Sequence, residues 1–182
     1  MTPADFVEKW QGSGAAERAN AQPFLLDLCD VLGVERPRPA TGDPELDSYT
    51  FERDAVLLHE GKPHTIGKMD LYKHGCFILE AKQGSHAGSK KIGTARRDHP
   101  ATWNAAMNAA FGQALQYATT LKSPPPFIIV ADIGYAFDIY ATFDGSRQYR
   151  KFPDALNARI FLTALLTEGW PPVTPPPPPP IK

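Results

Sequence analysis

Gly67-Lys-Met-Asp-Leu-Tyr-Lys-His-Gly-Cys-Phe-Ile-Leu-Glu-Ala-Lys-Gln83 is the stretch on which the fold turns. Side chains alternate along a strand, so Glu80 and Lys82 share one face while Phe77, Leu79 and Ala81 share the other. A tight turn at His74-Gly75 folds Lys68–Tyr72 back beside Cys76–Gln83. Asp70, separated from Glu80 by nine intervening residues, then lies beside it. Two adjoining carboxylates form a hard-oxygen site suited to Mg²⁺, with Mn²⁺ as its natural substitute. The Lys82 ammonium orients water and offsets negative charge on a phosphate.

Outward from this hairpin, helix-like and strand-like segments alternate. Residues 3–11 read as a short amphipathic helix with Phe6, Val7 and Trp10 as its apolar side, broken at Gly12-Ser-Gly14. A longer helix is predicted from about Ala15 to Leu32, kinked or divided at Pro23 and stopped at Gly33. Residues 35–48 are loop. Tyr49–Leu58, Thr65–Tyr72 and Cys76–Gln83 are predicted strands. Ala101–Leu121 is an alanine-rich helix ended by Ser123-Pro-Pro-Pro126. The apolar run Phe127–Ala131 is a buried strand. Ala136–Phe143 is a further strand that turns at Asp144-Gly145, and residues 154–167 are a last amphipathic helix. The order α–β–β–β–α–β–β–α implies an α/β (α+β) mixed sheet with helices on both faces.

The whole chain fits one domain, residues 1–170, followed by a polyproline tail over 171–182 that reads as an extended spacer. With 182 residues, 42% apolar and 21% charged, it is long enough to bury a core. The net charge of −1 excludes a wholesale basic footprint for nucleic acid, so any such contact is local. The segment Gln83–Arg97 supplies it: Lys90, Lys91, Arg96 and Arg97, together with His86, stand there without an acid. Without those cations the carboxylates would repel a polyanion. Cys29 and Cys76 lack metal-ligand or redox spacing and read as buried apolar residues of a reducing compartment. No signal peptide or membrane-length apolar run is present, so the expected location is the cytoplasm.

Asp70 with Glu80-Ala81-Lys82 on the second and third strands resembles the PD-(D/E)xK nucleases, although Met69 stands where that name has proline. Gln113-Ala-Leu-Gln-Tyr117 resembles the Q-x-x-x-Y element of RecB-like and type I restriction nucleases. Its spacing puts Gln113 and Tyr117 on one helix face, where contact with a DNA phosphate and support of Lys82 are both open. Further segments narrow the resemblance: Phe6-Val-Glu-Lys-Trp10, Glu17-Arg-Ala-Asn20, Phe24-Leu25, Leu28-Cys-Asp-Val-Leu-Gly-Val34, Asp70–Gln83 and Phe111–Tyr117. In this order the chain is similar to the N-terminal nuclease domain of MmeI-like (type IIL) restriction–modification enzymes, across residues 6–152.

That resemblance implies a restriction-endonuclease-like α-β-β-β-α-β core and Mg²⁺-dependent hydrolysis of double-stranded DNA. It implies metal ligation by Asp70, Glu80 and the carbonyl of Ala81, water activation by Lys82, and support or DNA contact from Gln83. An extra metal-directed acid on the first long helix falls to Glu17, with Gln22 next; capping that helix is Glu17's other reading. Such enzymes also carry methyltransferase and target-recognition domains. No S-adenosylmethionine loop and no Asn-Pro-Pro-Tyr motif occurs here, so the expected partners are those modules and, for double-strand cleavage, a second copy on DNA. A non-cleaving DNA-binding or regulatory subunit, an interaction subunit docking on a methyltransferase and a free-standing nuclease remain the alternatives.

Overall fold

The computed structural model describes residues 1–13, 17–85 and 95–151. Two helices, α1 (Pro3–Gln11) and α2 (Glu17–Leu32), precede strands β1 (Tyr49–Leu57), β2 (Thr65–Lys73) and β3 (Phe77–Lys82). Helix α3 (Pro100–Ala118) follows, then β4 (Phe127–Asp132), β5 (Ala136–Ala141) and β6 (Arg147–Lys151). The six strands form one sheet in chain order. Only the β3–β4 pair is parallel, α3 lying between them in the chain, and every other neighbour is antiparallel. The fold is therefore a mixed α+β sheet, as expected.

Local chemistry sets the element ends. Thr2 caps α1, exchanging hydrogen bonds with Asp5 in a capping box, and Pro3 occupies a first-turn position whose N–H has no helical partner. α2 continues through Pro23 as a single element, with the proline exposed. It stops at Gly33, whose φ of 69° is left-handed. Val34 N–H reaches the Cys29 carbonyl and Gly33 N–H the Asp30 carbonyl, a Schellman closure. At the β2–β3 turn Gly75 likewise takes φ 68° while Cys76 N–H bonds the Lys73 carbonyl.

The sheet is covered on both faces. α1 and α2 bury Phe6, Trp10, Phe24, Leu25 and Leu28 against Leu71, Phe77, Leu79, Ala81 and Ile129. α3 covers the other face, where Tyr117, Ala114 and Ala118 meet Ala55, Met69, Tyr72 and Ile78, and Met107 and Ala110 meet Val130. The central pair β3 and β4 is buried on both sides, which explains its nearly continuous apolar sequence.

Two departures from the sequence reading stand out. Arg147–Lys151, too polar to read as a strand, pairs with β5 at the sheet edge, where Arg147 Nε donates to both Asp138 oxygens at 2.9 Å. α3 ends three residues before Leu121. The helix expected over 154–167 and the polyproline tail lie outside the described residues. Among the described residues no helix is long and apolar enough to cross a membrane.

Candidate metal centre at the end of β3

Asp70 and Glu80 face each other across β2 and β3, one rung past the last ladder pair, Leu71↔Leu79. The ladder ends there because Asp70 itself takes the next donor. Its Oδ2 accepts from Ala81 N–H at 2.7 Å. In an extended strand a residue's N–H and C=O point to the same edge, so the Ala81 carbonyl faces the edge that Asp70 occupies.

Glu80 is 1% exposed, and its Oε1 is buried with no hydrogen-bond partner. A buried carboxylate oxygen without a donor is costly unless a cation balances it. Burial, then the neighbouring Asp70 charge, pushes the Glu80 carboxyl up to about 8, while Lys82 and an Asp70 backbone N–H pull the other way. Asp70 is raised as well, chiefly by burial, against the pull of its Ala81 hydrogen bond. Lys82 Nζ stands 3.9 Å from Glu80 Oε2 and 3.5 Å from Glu17 Oε1, with its side chain 28% exposed. It therefore bridges the carboxylate pair and the start of α2.

Glu17 lies close enough to Asp70 and Glu80 for its charge to raise both carboxyls. Its Oε2 accepts Gln83 N–H at 3.2 Å while Oε1 faces Lys82, so it ties α2 to the end of β3. Gln83 is similarly committed, receiving from Asn20 and donating to the Ser13 carbonyl. Gln22 is exposed. Among the described residues no group of three or more His, Cys, Asp or Glu is assembled for a metal.

The basic segment divides. Arg97, expected to face a phosphate, instead has a side chain only 6% exposed and paired with buried Asp132, through Nη2–Oδ1 at 2.6 Å and Nε–Oδ2 at 3.0 Å. Asp132 also accepts from Gly84 N–H and Trp103 Nε1. An acid outside the basic run, paired with Lys82 in the β3–β4 register, thus captures the arginine nearest to it in space. Arg96 pairs with Asp98, the acid just beyond that run, and stays partly exposed. Lys90, Lys91 and His86 lie outside the described residues.

Gln113 and Tyr117 do meet on α3, with Gln113 Nε2 donating to Tyr117 Oη at 2.5 Å. Tyr117 is buried against β2, where any Cβ at Gly67 would collide with its ring. Among the described residues no hydrogen bond links this pair to Lys82, so Tyr117 packs the helix on the sheet and Gln113 remains at the surface. Two clefts, one lined by Arg53, Tyr72, His74 and Lys122 and another by Leu57, His59 and Gln116, share no residue with the carboxylate pair.

Sequence reading missed two residues. Asp132 is one; its position after a buried apolar strand was the available signal. Glu52 is the other, with a φ of 53° across the hairpin from Asp70; no pattern in β1 announces it.

No curated protein and no solved structure matches the chain. One family does match: MmeI, N-terminal domain, over residues 1–167. The chain therefore belongs to the MmeI N-terminal domain family, which associates it with restriction–modification enzymes.

Proposed function

We propose that this domain is a PD-(D/E)xK-type nuclease with a restriction-endonuclease-like core, hydrolysing phosphodiester bonds of double-stranded DNA with Mg²⁺. The observation that carries this reading is the orphaned, buried Glu80 oxygen beside an Asp70 carboxylate pinned by Ala81 N–H. Two carboxylates are too few to enclose Ca²⁺ or to complete a closed Zn²⁺ site. They suit Mg²⁺, which keeps several waters and takes its remaining ligands from substrate phosphate. Asp70, Glu80 and the Ala81 carbonyl would hold it. When bound, it supplies Lewis-acid stabilisation of the phosphate and lowers the pKa of a coordinated water.

The chain's own groups do the rest. Asp70 and Glu80 are held on rigid strands, so their geometry costs little to organise. Lys82 places its ammonium beside Glu80, where it orients the attacking water and neutralises charge as the 3′ oxygen departs. Glu17 and Gln83 keep the end of β3 against α2, fixing the direction from which Lys82 approaches. Lys90, Lys91 and Arg96, with Gln113, are the proposed DNA contacts; Arg97 is not among them. Target choice belongs to methyltransferase and recognition modules, and double-strand cleavage to two such sites acting together on DNA.

Asp70→Ala and Lys82→Ala test the assignment in a supercoiled-plasmid nicking assay with Mg²⁺ or Mn²⁺. Both variants are expected to lose at least about 100-fold in rate, the lower range for one acid–base or electrostatic group. Calorimetry should show Mn²⁺ binding lost in Asp70→Ala and kept in Lys82→Ala. Cleavage surviving both changes, or wild-type protein that binds no Mn²⁺, sinks the reading.

A further inference from the structure

The β1–β2 hairpin turns over at one rung. Tyr49 and Phe51 lie on the α1–α2 face, whereas Ala55 and Leu57 lie on the α3 face. All four are odd-numbered, so a regular strand would place them on one side. β2 does the same: Leu71 faces α1 and α2, but Met69 faces α3 and Gly67 lies against Tyr117. The register is nevertheless unchanged through the reversal, running Phe51↔Leu71 and then Arg53↔Met69. The reversal therefore occurs at the rung between them, Glu52 opposite Asp70, and that rung drops out of the ladder.

Glu52 is the residue that makes the turn. Among the described residues it is the sole non-glycine with a left-handed backbone, at φ 53°. Its side chain is exposed, and the hydrogen bond it receives goes to its carbonyl, from Lys68 Nζ at 3.4 Å. Without the reversal Ala55, Leu57 and Met69 would leave the core beneath α3. The same rung is where the β2–β3 ladder ends and the Asp70 carboxylate takes Ala81 N–H.

We propose that Glu52 is a positioning residue: its left-handed backbone turns the hairpin over and so sets the Asp70 carboxylate on Ala81 N–H. Positioning is assigned to the backbone conformation; the Glu52 carboxylate acts separately, as a nearby charge that helps raise Asp70. As a statement about metal affinity this rests on the nuclease reading; as a statement about Asp70 geometry it does not.

The test compares Glu52→Gly, Glu52→Asn and Glu52→Val. Gly and Asn tolerate φ > 0, and a β-branched residue there is a genuine outlier. Two quantities are read: exchange of the Ala81 amide relative to the Leu79 amide on the same edge of β3, and Mn²⁺ affinity. Glu52→Gly and Glu52→Asn are expected to keep Ala81 exchange within about twofold of wild type and to bind Mn²⁺ alike, because the turn is retained and both lack the carboxylate. Glu52→Val should speed Ala81 exchange at least ~10-fold relative to Leu79. It should also weaken Mn²⁺ binding by about 10–100-fold relative to Glu52→Gly, the range for losing a group that orients a ligand. If Glu52→Val does not fold, Glu52→Ala against Glu52→Gly makes the same comparison with a smaller change of the same sign. The proposal is overturned if the β-branched variant retains both readouts, or if glycine loses them as valine does. Wild-type protein that binds no Mn²⁺ but shows the exchange pattern upholds the positioning role and removes the metal reading instead.

Discussion

Replacing Glu80 by glutamine should remove a pH dependence of stability that the metal-free protein carries. Burial and the Asp70 charge push the Glu80 carboxyl from 4.5 up to about 8 in the folded protein. Between these values the folded chain holds a proton that the unfolded chain has released. The native state thus binds more protons, and stability falls as pH rises. The penalty is absent below about 4.5, grows through neutrality and is complete above about 8. At about 1.4 kcal/mol for each tenfold change in proton affinity, its full size is on the order of 3–5 kcal/mol. Glutamine does not titrate, so its profile lacks this fall and keeps only the contribution of Asp70, which has the same sign. An amide at the unpartnered Oε1 position adds an offset of about 1–3 kcal/mol that is independent of pH. Slope, not offset, is therefore the readout. Urea unfolding in chelator at intervals from pH 5 to pH 9 measures it. Excess Mn²⁺ should restore wild-type stability at pH 8 and leave Glu80→Gln unmoved. Parallel pH profiles for the two proteins would refute both the burial argument and the cation site built on it.

Asp132→Asn removes a charge paired with the buried Arg97 guanidinium, which should lower unfolding stability by about 3–5 kcal/mol. Arg96→Ala, at an exposed pair, should cost under about 1 kcal/mol in the same denaturation assay; equal costs would show that the two arginines are not differently used. Gly67→Ala drives a methyl into the Tyr117 ring and should destabilise by roughly 1–3 kcal/mol. Pairing it with Tyr117→Leu in a double-mutant cycle should recover part of that loss, and strict additivity would deny the contact.

Much of the site was legible because it depends on strand parity. Glu80 and Lys82 share a face, Asp70 falls opposite Glu80 once Gly75 closes the turn, and neither fact needs distant contacts. The α-helical pair Gln113 and Tyr117 was legible for the same reason, since an i, i+4 spacing brings them together whatever covers them. Their use was not legible, because burial of Tyr117 depends on Gly67, fifty positions away. Arg97 shows the limit most directly. In the sequence it belongs to a basic run; in the fold its side chain is buried and paired with Asp132.

The amino-acid sequence by itself determined the sheet's central strands, the two carboxylates with their lysine, and membership of the MmeI N-terminal domain family. All of these follow from local periodicity and from residue order. Only the tertiary structure decided which charges remain available for chemistry. It assigned Glu17 to Lys82 and Gln83, removed Arg97 to Asp132, and turned the hairpin over at Glu52. The physical reason is that desolvation and pairing depend on groups far apart in the chain, and a left-handed strand residue is selected by packing on both faces at once.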